Sequence, residues 1–411
     1  MTDLPGKMGI QPFPTLRQKV GALLLSKNNP IRAAYFFGFA SLSSWMPMFN
    51  LWLEDKGFSG IQIGYIAAIP WLLMLVVQPV WGIIADKYGK LVCFKISLIG
   101  AAILFVLFPL VRPGITITAA MTITLSLLNT PVLPLLDSIA LDQVEERKNI
   151  SYANLRFWGA PGYGTGALLT GVLIPHFGVQ AAFFSSAVFL ILAYLCSMCF
   201  VRSKSLYNAL EVELKGLGKI VTSKILFIFL VIVAIVSIGQ ASITFFLTLY
   251  MREIGASPET TGIAIGMEGL SELPFYFIAA WLLNRMAPGK VVLIAIFATA
   301  LRLFLYSINS NPDLVIFIEA MNGITWTLLW ISSVEFVNDR VPSKWRTTGQ
   351  SLLWASYFGA GAVAGNIVNG WLFDQISMQR VYGYNSLMIL MTGMLALVVL
   401  FSNHKKSISM Q

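Results

Sequence analysis

The chain has 411 residues, 57% of them hydrophobic and 11% charged, with a net charge of +9. Soluble domains carry about 25% charged residues, whereas this chain has only 28 Lys and Arg and 19 Asp and Glu to cover its surface. Such a composition excludes a soluble enzyme, a nucleic-acid-binding domain and a disordered protein, and points to a polytopic membrane protein whose outside faces lipid.

Residues 1–30 are polar and basic and lack an apolar core, so they are expected to form a tail rather than a signal peptide. Apolar runs of spanning length, about 20 residues each, then begin near Ile31, Ile61, Leu91, Ile115, Tyr152 and Val179. Residues 202–224 are charged and read as a linker. A second set of runs begins near Ile225, Thr260, Val291, Leu314, Gly349 and Val381, and 403–411 form a closing tail. The expected architecture is an all-α polytopic membrane protein with twelve transmembrane helices in two six-helix halves, 31–201 and 225–402. The short stretches left outside these spans have no room for a catalytic or receptor domain.

With both ends on one side, 22 of the 28 Lys and Arg fall there, against Lys56, Arg112, Arg252 and Arg380 on the other. The positive-inside rule therefore puts both termini in the cytoplasm and the chain in the cytoplasmic (inner) membrane. The basic residues are scattered among connections, so nucleic acid is not an expected partner. Cys93, Cys196 and Cys199 lie in or beside apolar runs, and with His176 and His404 as the only histidines they read as packing residues rather than metal ligands. A monomer is expected.

The halves share an internal repeat. Gly57, Ser59 and Gly64 recur 198 positions later as Gly255, Ser257 and Gly262, and Asp86-Lys87 is answered by Asn284-Arg285. Gly162, Gly166 and Gly171 are matched at an offset of 199 by Gly361, Gly365 and Gly370. Two halves in the same orientation imply a cavity between them and a rocking motion around it. The Gly-x-x-x-Gly pairs are expected mainly to let helices pack closely.

The stretch after the second span carries Gly82, Asp86, Lys87, Gly89 and Lys90, a spacing that resembles the signature loop of the major facilitator superfamily. The resemblance implies a gate: Gly89 permits a tight reversal, and Asp86 pairs with a cation or a helix N-terminus when the inner side is closed. More narrowly, Pro131 to Ser138, Arg156 to Gly159, Val334 to Asn338 and Arg346 to Gly370 resemble the branch of phenylpropionate permease-like and lactose permease-like proton symporters.

An ionisable side chain inside a span costs roughly 2.5–3.5 kcal/mol and marks a functional site by default. In the first half these are Asp137 and Arg156. The branch resemblance implies that they hydrogen-bond the substrate, with Tyr163, two helical turns on, stacking upon it; a structural Asp137–Arg156 ion pair is the alternative. In the second half Glu268 and Glu272 share a helix face, and Glu272 with Arg302 resemble the proton-coupling acid and arginine of the branch. Where related sequences have a histidine this chain has Asn322, a further substrate-contact candidate, which leaves Glu272 and Glu319 to carry the proton; a static charge cluster is the alternative. A carboxylate in a low-dielectric site holds its proton and gives it up when an arginine approaches. Asn50, Gln78, Asn129, Trp326 and Trp330 are expected to face the cavity, and Glu335 and Arg346 to pair at the inner boundary.

No nucleophile, metal-ligand or Walker motif is present, so an enzyme or an ATP-driven pump is not expected. The resemblance implies a secondary active importer that uses a proton gradient and no cofactor. Its substrate would be a sugar, a nucleoside or an aromatic or other organic acid. A proton-driven antiporter exporting drugs or metabolites is the alternative.

Overall fold

A computed structural model describes residues 29–146, 152–200, 224–342 and 346–402. Apart from their edge residues, the expected tails and the linker fall outside these ranges. The first half contains α1 (Asn29–Asp55), α2 (Gly60–Tyr88), α3 (Lys90–Leu107), α4 (Ile115–Asn129 continued by Val132–Glu146), α5 (Tyr152–Arg156 continued by Gly159–Phe177) and α6 (Ala181–Met198). The second contains α7 (Lys224–Glu253), α8 (Pro258–Leu283), α9 (Pro288–Ile308), α10 (Pro312–Glu319, a π-helical Gly323–Thr327, then Leu328–Arg340), α11 (Arg346–Trp354, a π-helical Ala355–Gly361, then Ala362–Phe373) and α12 (Met378–Ser402). No strand occurs among the described residues.

Ten of these helices are long and apolar enough to cross a membrane; α1 and α5 are the two that apolarity alone does not admit. The reason is what they face. Ser41, Ser43, Ser44 and Asn50 of α1 and the glycines of α5 turn inward against other helices. Phe277, Phe317 and Ile83, by contrast, lie exposed on the outside of the bundle, where lipid would cover them.

The repeat is visible atom by atom. Gly57 and Gly255 both adopt positive φ, 81° and 78°, a conformation that favours glycine. Ser59 and Ser257 then cap α2 and α8, accepting from the backbone N–H of Gln62 and Thr260. Methyl groups added at Gly162 and Gly166 would lie 2.1 and 2.2 Å from the carbonyl oxygens of Phe36 and Ala40 in α1. At Gly361 and Gly365 they would meet Ala234 and Ile238 of α7, the equivalent positions. Close packing is therefore what these glycines do in both copies.

The end where α1 begins and α12 finishes is here the near end, and the opposite one the far end. At the far end the halves meet along two equivalent crossings. In one, Gly60 and Gly64 of α2 lie against Gly370 and Asn366 of α11; in the other, Pro258 and Gly262 of α8 lie against Gly171 and Ala167 of α5. Arg252 of α7 bridges Glu54 and Asp55 of α1 at 2.8 and 2.6 Å. The Asp374 carboxylate accepts from the backbone N–H groups of Gly60 and Ile61 at the start of α2. Asn50 donates to the Phe245 carbonyl, and Thr248 to that of Pro47, both at 2.8 Å. Nearer the tails than mid-bundle, no hydrogen bond or ion pair joins the halves among the described residues. The bundle is fastened at the far end, and no such fastening is seen at the near end among the described residues.

Candidate functional site

The loop Gly82–Lys90 lies at the near end. Gly89 has φ 97° and reverses the chain between α2 and α3, and the Lys87 ammonium lies 5.2 Å from the Tyr88 ring centroid. Lys90 pairs with Asp142 of α4 at 2.7 Å, a contact within the same half. Asp86 is exposed and makes no ion pair among the described residues, so the expected latch is not engaged in this conformation. Glu335 and Arg346 form no ion pair either, contrary to expectation; both side chains are exposed at the near end.

Toward the near end of the first half, one guanidinium nitrogen of Arg156, Nη1, spans both oxygens of Asp137 at 2.7 and 2.8 Å. The Tyr35 hydroxyl donates to the same carboxylate at 2.7 Å, the Tyr152 hydroxyl accepts from Nη1 at 3.2 Å, and the Phe39 ring lies 5.4 Å from the guanidinium. The ion-pair alternative is therefore the arrangement present. It is not sealed off: the Arg156 side chain is 42% exposed and that of Asp137 28%. Tyr163 and Arg156 do not lie on one unbroken helix face. The helix breaks at Phe157–Trp158, which rotates Tyr163 away; its hydroxyl instead donates to Glu268 of α8 at 3.4 Å, a contact between the halves.

The second half buries a charged network. Arg302 is 2% exposed and Glu319 0%; Arg302 Nη2 pairs with the Glu319 carboxylate, to which the Tyr306 hydroxyl also donates. Arg302 Nη1 donates to Asn322 Oδ1 and to Thr325 Oγ1, each at 2.9 Å. Asn322 Nδ2 in turn donates to Glu272 Oε1 at 3.2 Å and to the Glu268 carbonyl at 3.3 Å, and Tyr276 donates to Glu272 at 3.3 Å. Of the acids expected near Arg302, Glu319 holds the arginine directly, and Glu272 reaches it through Asn322. Asn322, expected to contact substrate, is buried as that bridge.

Several participants carried no flag in the sequence reading. Tyr152, Tyr276 and Thr325 lie one helical turn from flagged residues and were within reach of the turn periodicity. Tyr306 likewise lies one turn from Arg302 on α9, whereas Tyr35 and Gln240 come from other helices and nothing local singles them out. Gln240 donates to the Thr325 carbonyl at 3.0 Å and accepts from Tyr357, tying the network to an aromatic cluster. There Trp326 stacks on Trp330 with centroids 5.4 Å apart, Trp354 on Phe358 at 4.6 Å, and Trp71 of α2 on Phe358 at 5.5 Å. Trp326 and Phe358 of the cluster lie in the two π-helical segments of α10 and α11, a distortion frequent at functional sites.

The sequence matches the MFS_1 like family over residues 30–384. Among curated relatives it is 24% identical to a maltose permease of Geobacillus stearothermophilus over 89% of this chain and 92% of that protein. It is 25% identical to the uncharacterized transporter YwbF of Bacillus subtilis (strain 168), over 86% and 88%. To the multidrug resistance protein MdtG of Salmonella choleraesuis it is 25% identical over 66% and 70%. Its fold resembles that of the nucleoside transporter NupG, with a TM-score of 0.81 at 17% identity, over 92% of this chain and 100% of that one. A bacterial homologue of the human lysosomal transporter Spinster, solved inward-facing and unoccupied, gives 0.68 at 12% identity, over 91% and 94%.

Proposed function

The chain belongs to the MFS_1 like family of membrane transporters, and from that premise we propose that it is a monomeric, proton-coupled importer of a small organic solute in the cytoplasmic membrane. The near end then faces the cytoplasm, as the positive-inside rule requires, and the bundle fastened at the far end is the inward-open state of a rocking cycle in which each half, 31–201 and 225–402, moves as a body. The lactose permease-like branch resemblance points the same way.

The observation that carries the reading is the chain of contacts from the sealed Glu319–Arg302 pair through Asn322 to Glu272 and, by Tyr163 and Glu268, across to the first half. A charge buried without a partner is costly. Any change in protonation of Glu272 or Glu319 must therefore redistribute the hydrogen bonds of Arg302 and Asn322, and so bear on how α8 meets α5. On the opposite wall the exposed Asp137–Arg156 pair offers the solute both an acceptor and unused guanidinium donors. The far-end contacts break, and Asp86 finds its partner, when the bundle opens outward.

Paired assays in proteoliposomes test this. Glu272→Gln and Glu319→Gln imitate the protonated state, so at least one should bind and exchange solute yet fail to accumulate it against a gradient. If both accumulate solute uphill, proton coupling through these carboxylates is refuted. Solute loss driven by an inward proton gradient would establish the antiport direction instead.

A further inference from the structure

Two features of the central region go unused by the coupling network. The first is the aromatic wall. Trp326, Trp330, Trp354 and Phe358 present a continuous ring surface from the second half, and Trp71 adds to it from the first. Rings this tightly associated would serve as core, yet Trp354 is 42% exposed. The indole N–H groups of Trp71, Trp326, Trp330 and Trp354 also donate to no protein acceptor among the described residues. A wall of ring faces edged with free donors suits a partner that is flat and apolar on its face and rich in oxygen at its rim.

The second feature is the charge balance. Two guanidinium groups, Arg156 and Arg302, stand against four carboxylates, Asp137, Glu268, Glu272 and Glu319. Each arginine is already spent on a carboxylate: Arg156 on Asp137 and Arg302 on Glu319. An anionic solute would enter a region that is negative or, with two protons bound, neutral, and would find each arginine's charge already balanced by a carboxylate. Under the proposed function the cation that balances Glu268 and Glu272 is the proton itself, which leaves the solute uncharged.

We propose that the wall of Trp326, Trp330, Trp354 and Phe358 is the stacking site for an uncharged, hydroxyl-bearing ring solute of the glycoside type, and that the cavity rejects organic acids. Sugars and nucleosides share this chemistry: one offers the C–H face of a pyranose, the other the π face of a base. Because Trp71 stacks on Phe358 from the other half, a ring seated on the wall touches both moving bodies. Through Tyr357 and Gln240 it also lies two hydrogen bonds from Thr325, the partner of Arg302.

The test is calorimetric binding to the full chain in lipid nanodiscs, which carry no sugar-headed detergent, with maltose, uridine, phenylpropionate and tetraphenylphosphonium as probes. Binding of maltose or of uridine supports the proposal and says which ring is preferred. Trp354→Ala should weaken that binding about tenfold or more, and Trp354→Phe, which keeps a ring, less than about threefold. Should Trp354→Ala fail to fold, Trp71→Leu probes the same wall from the opposite half and should also weaken binding. The proposal is overturned if neither neutral probe binds, if the acid or the lipophilic cation binds more tightly than both, or if the folded variants leave affinity unchanged. The proposal rests on the transporter reading but not on its coupling: a neutral ring that binds without evoking a proton current refutes the coupling and leaves the wall in place.

Discussion

Removing Arg302 alone should be far more damaging than removing it together with its partner. In Arg302→Ala the Glu319 carboxylate stays fully buried, with only the Tyr306 hydroxyl to satisfy it, while Asn322 and Thr325 each lose a 2.9 Å donor. Stranding one member of a buried pair costs about 3–5 kcal/mol, a factor of a few hundred or more in the folded-to-unfolded ratio. Arg302→Leu combined with Glu319→Leu removes both charges and fills the space with apolar atoms, which is often neutral. The double variant should fall within about 2 kcal/mol of the parent, well short of the sum of the single variants. Reversible unfolding in mixed micelles by added dodecyl sulfate, read by circular dichroism, compares the parent, Arg302→Ala, the single variants Arg302→Leu and Glu319→Leu, and the double variant. If Arg302→Ala unfolds within about 1 kcal/mol of the parent, or the double variant costs as much as the two singles together, the pair is not the closed, mutually dependent unit described here.

The other predictions concern the ends of the bundle. A methyl group at Gly370 would lie 2.3 Å from the Gly60 carbonyl, so Gly370→Ala should hold the far end apart; spin-label distances across α2 and α11 there should lengthen while expression stays normal. Arg252→Gln removes a half-exposed bridge worth about 1 kcal/mol at most and should shift the same distances slightly toward open; a change as large as that of Gly370→Ala would show the bridge to be the main lock. Asp86→Asn should leave the near-end-open conformation unaltered and deplete the opposite one, so near-end distances that are unchanged under all ligand conditions would dismiss the latch.

The helices, the repeat and the identity of the intramembrane charges were legible in the sequence because each rests on a local regularity: apolar run length, a fixed offset of 198 or 199, or a charge where lipid forbids one. Partner choice was not. Helical-wheel arithmetic put Tyr163 beside Arg156, but the break at Phe157–Trp158 spoils the angle. The branch resemblance associated Glu272 with Arg302, but which acid touches the arginine depends on how α8, α9 and α10 pack, and no spacing along one helix reports that. The aromatic wall left a partial trace, since Trp326 and Trp330, like Trp354 and Phe358, are four apart. The stack that joins the halves needs Trp71, nearly 290 positions away from Phe358, and no local pattern links them.

The duplication also leaves an inequality at the far end. Position 60 of α2 offers a backbone N–H to Asp374; its counterpart, Pro258, has none, and the counterpart of Asp374 is Pro175. At the far end one seam is thus fastened by a carboxylate on a helix N-terminus, while the other rests there on the fit of glycine against glycine. A door with a bolt on one edge and a snug jamb on the other does not lift away evenly. The substitution Asp374→Ala would loosen the α2–α11 edge and leave α5–α8 to act as the hinge.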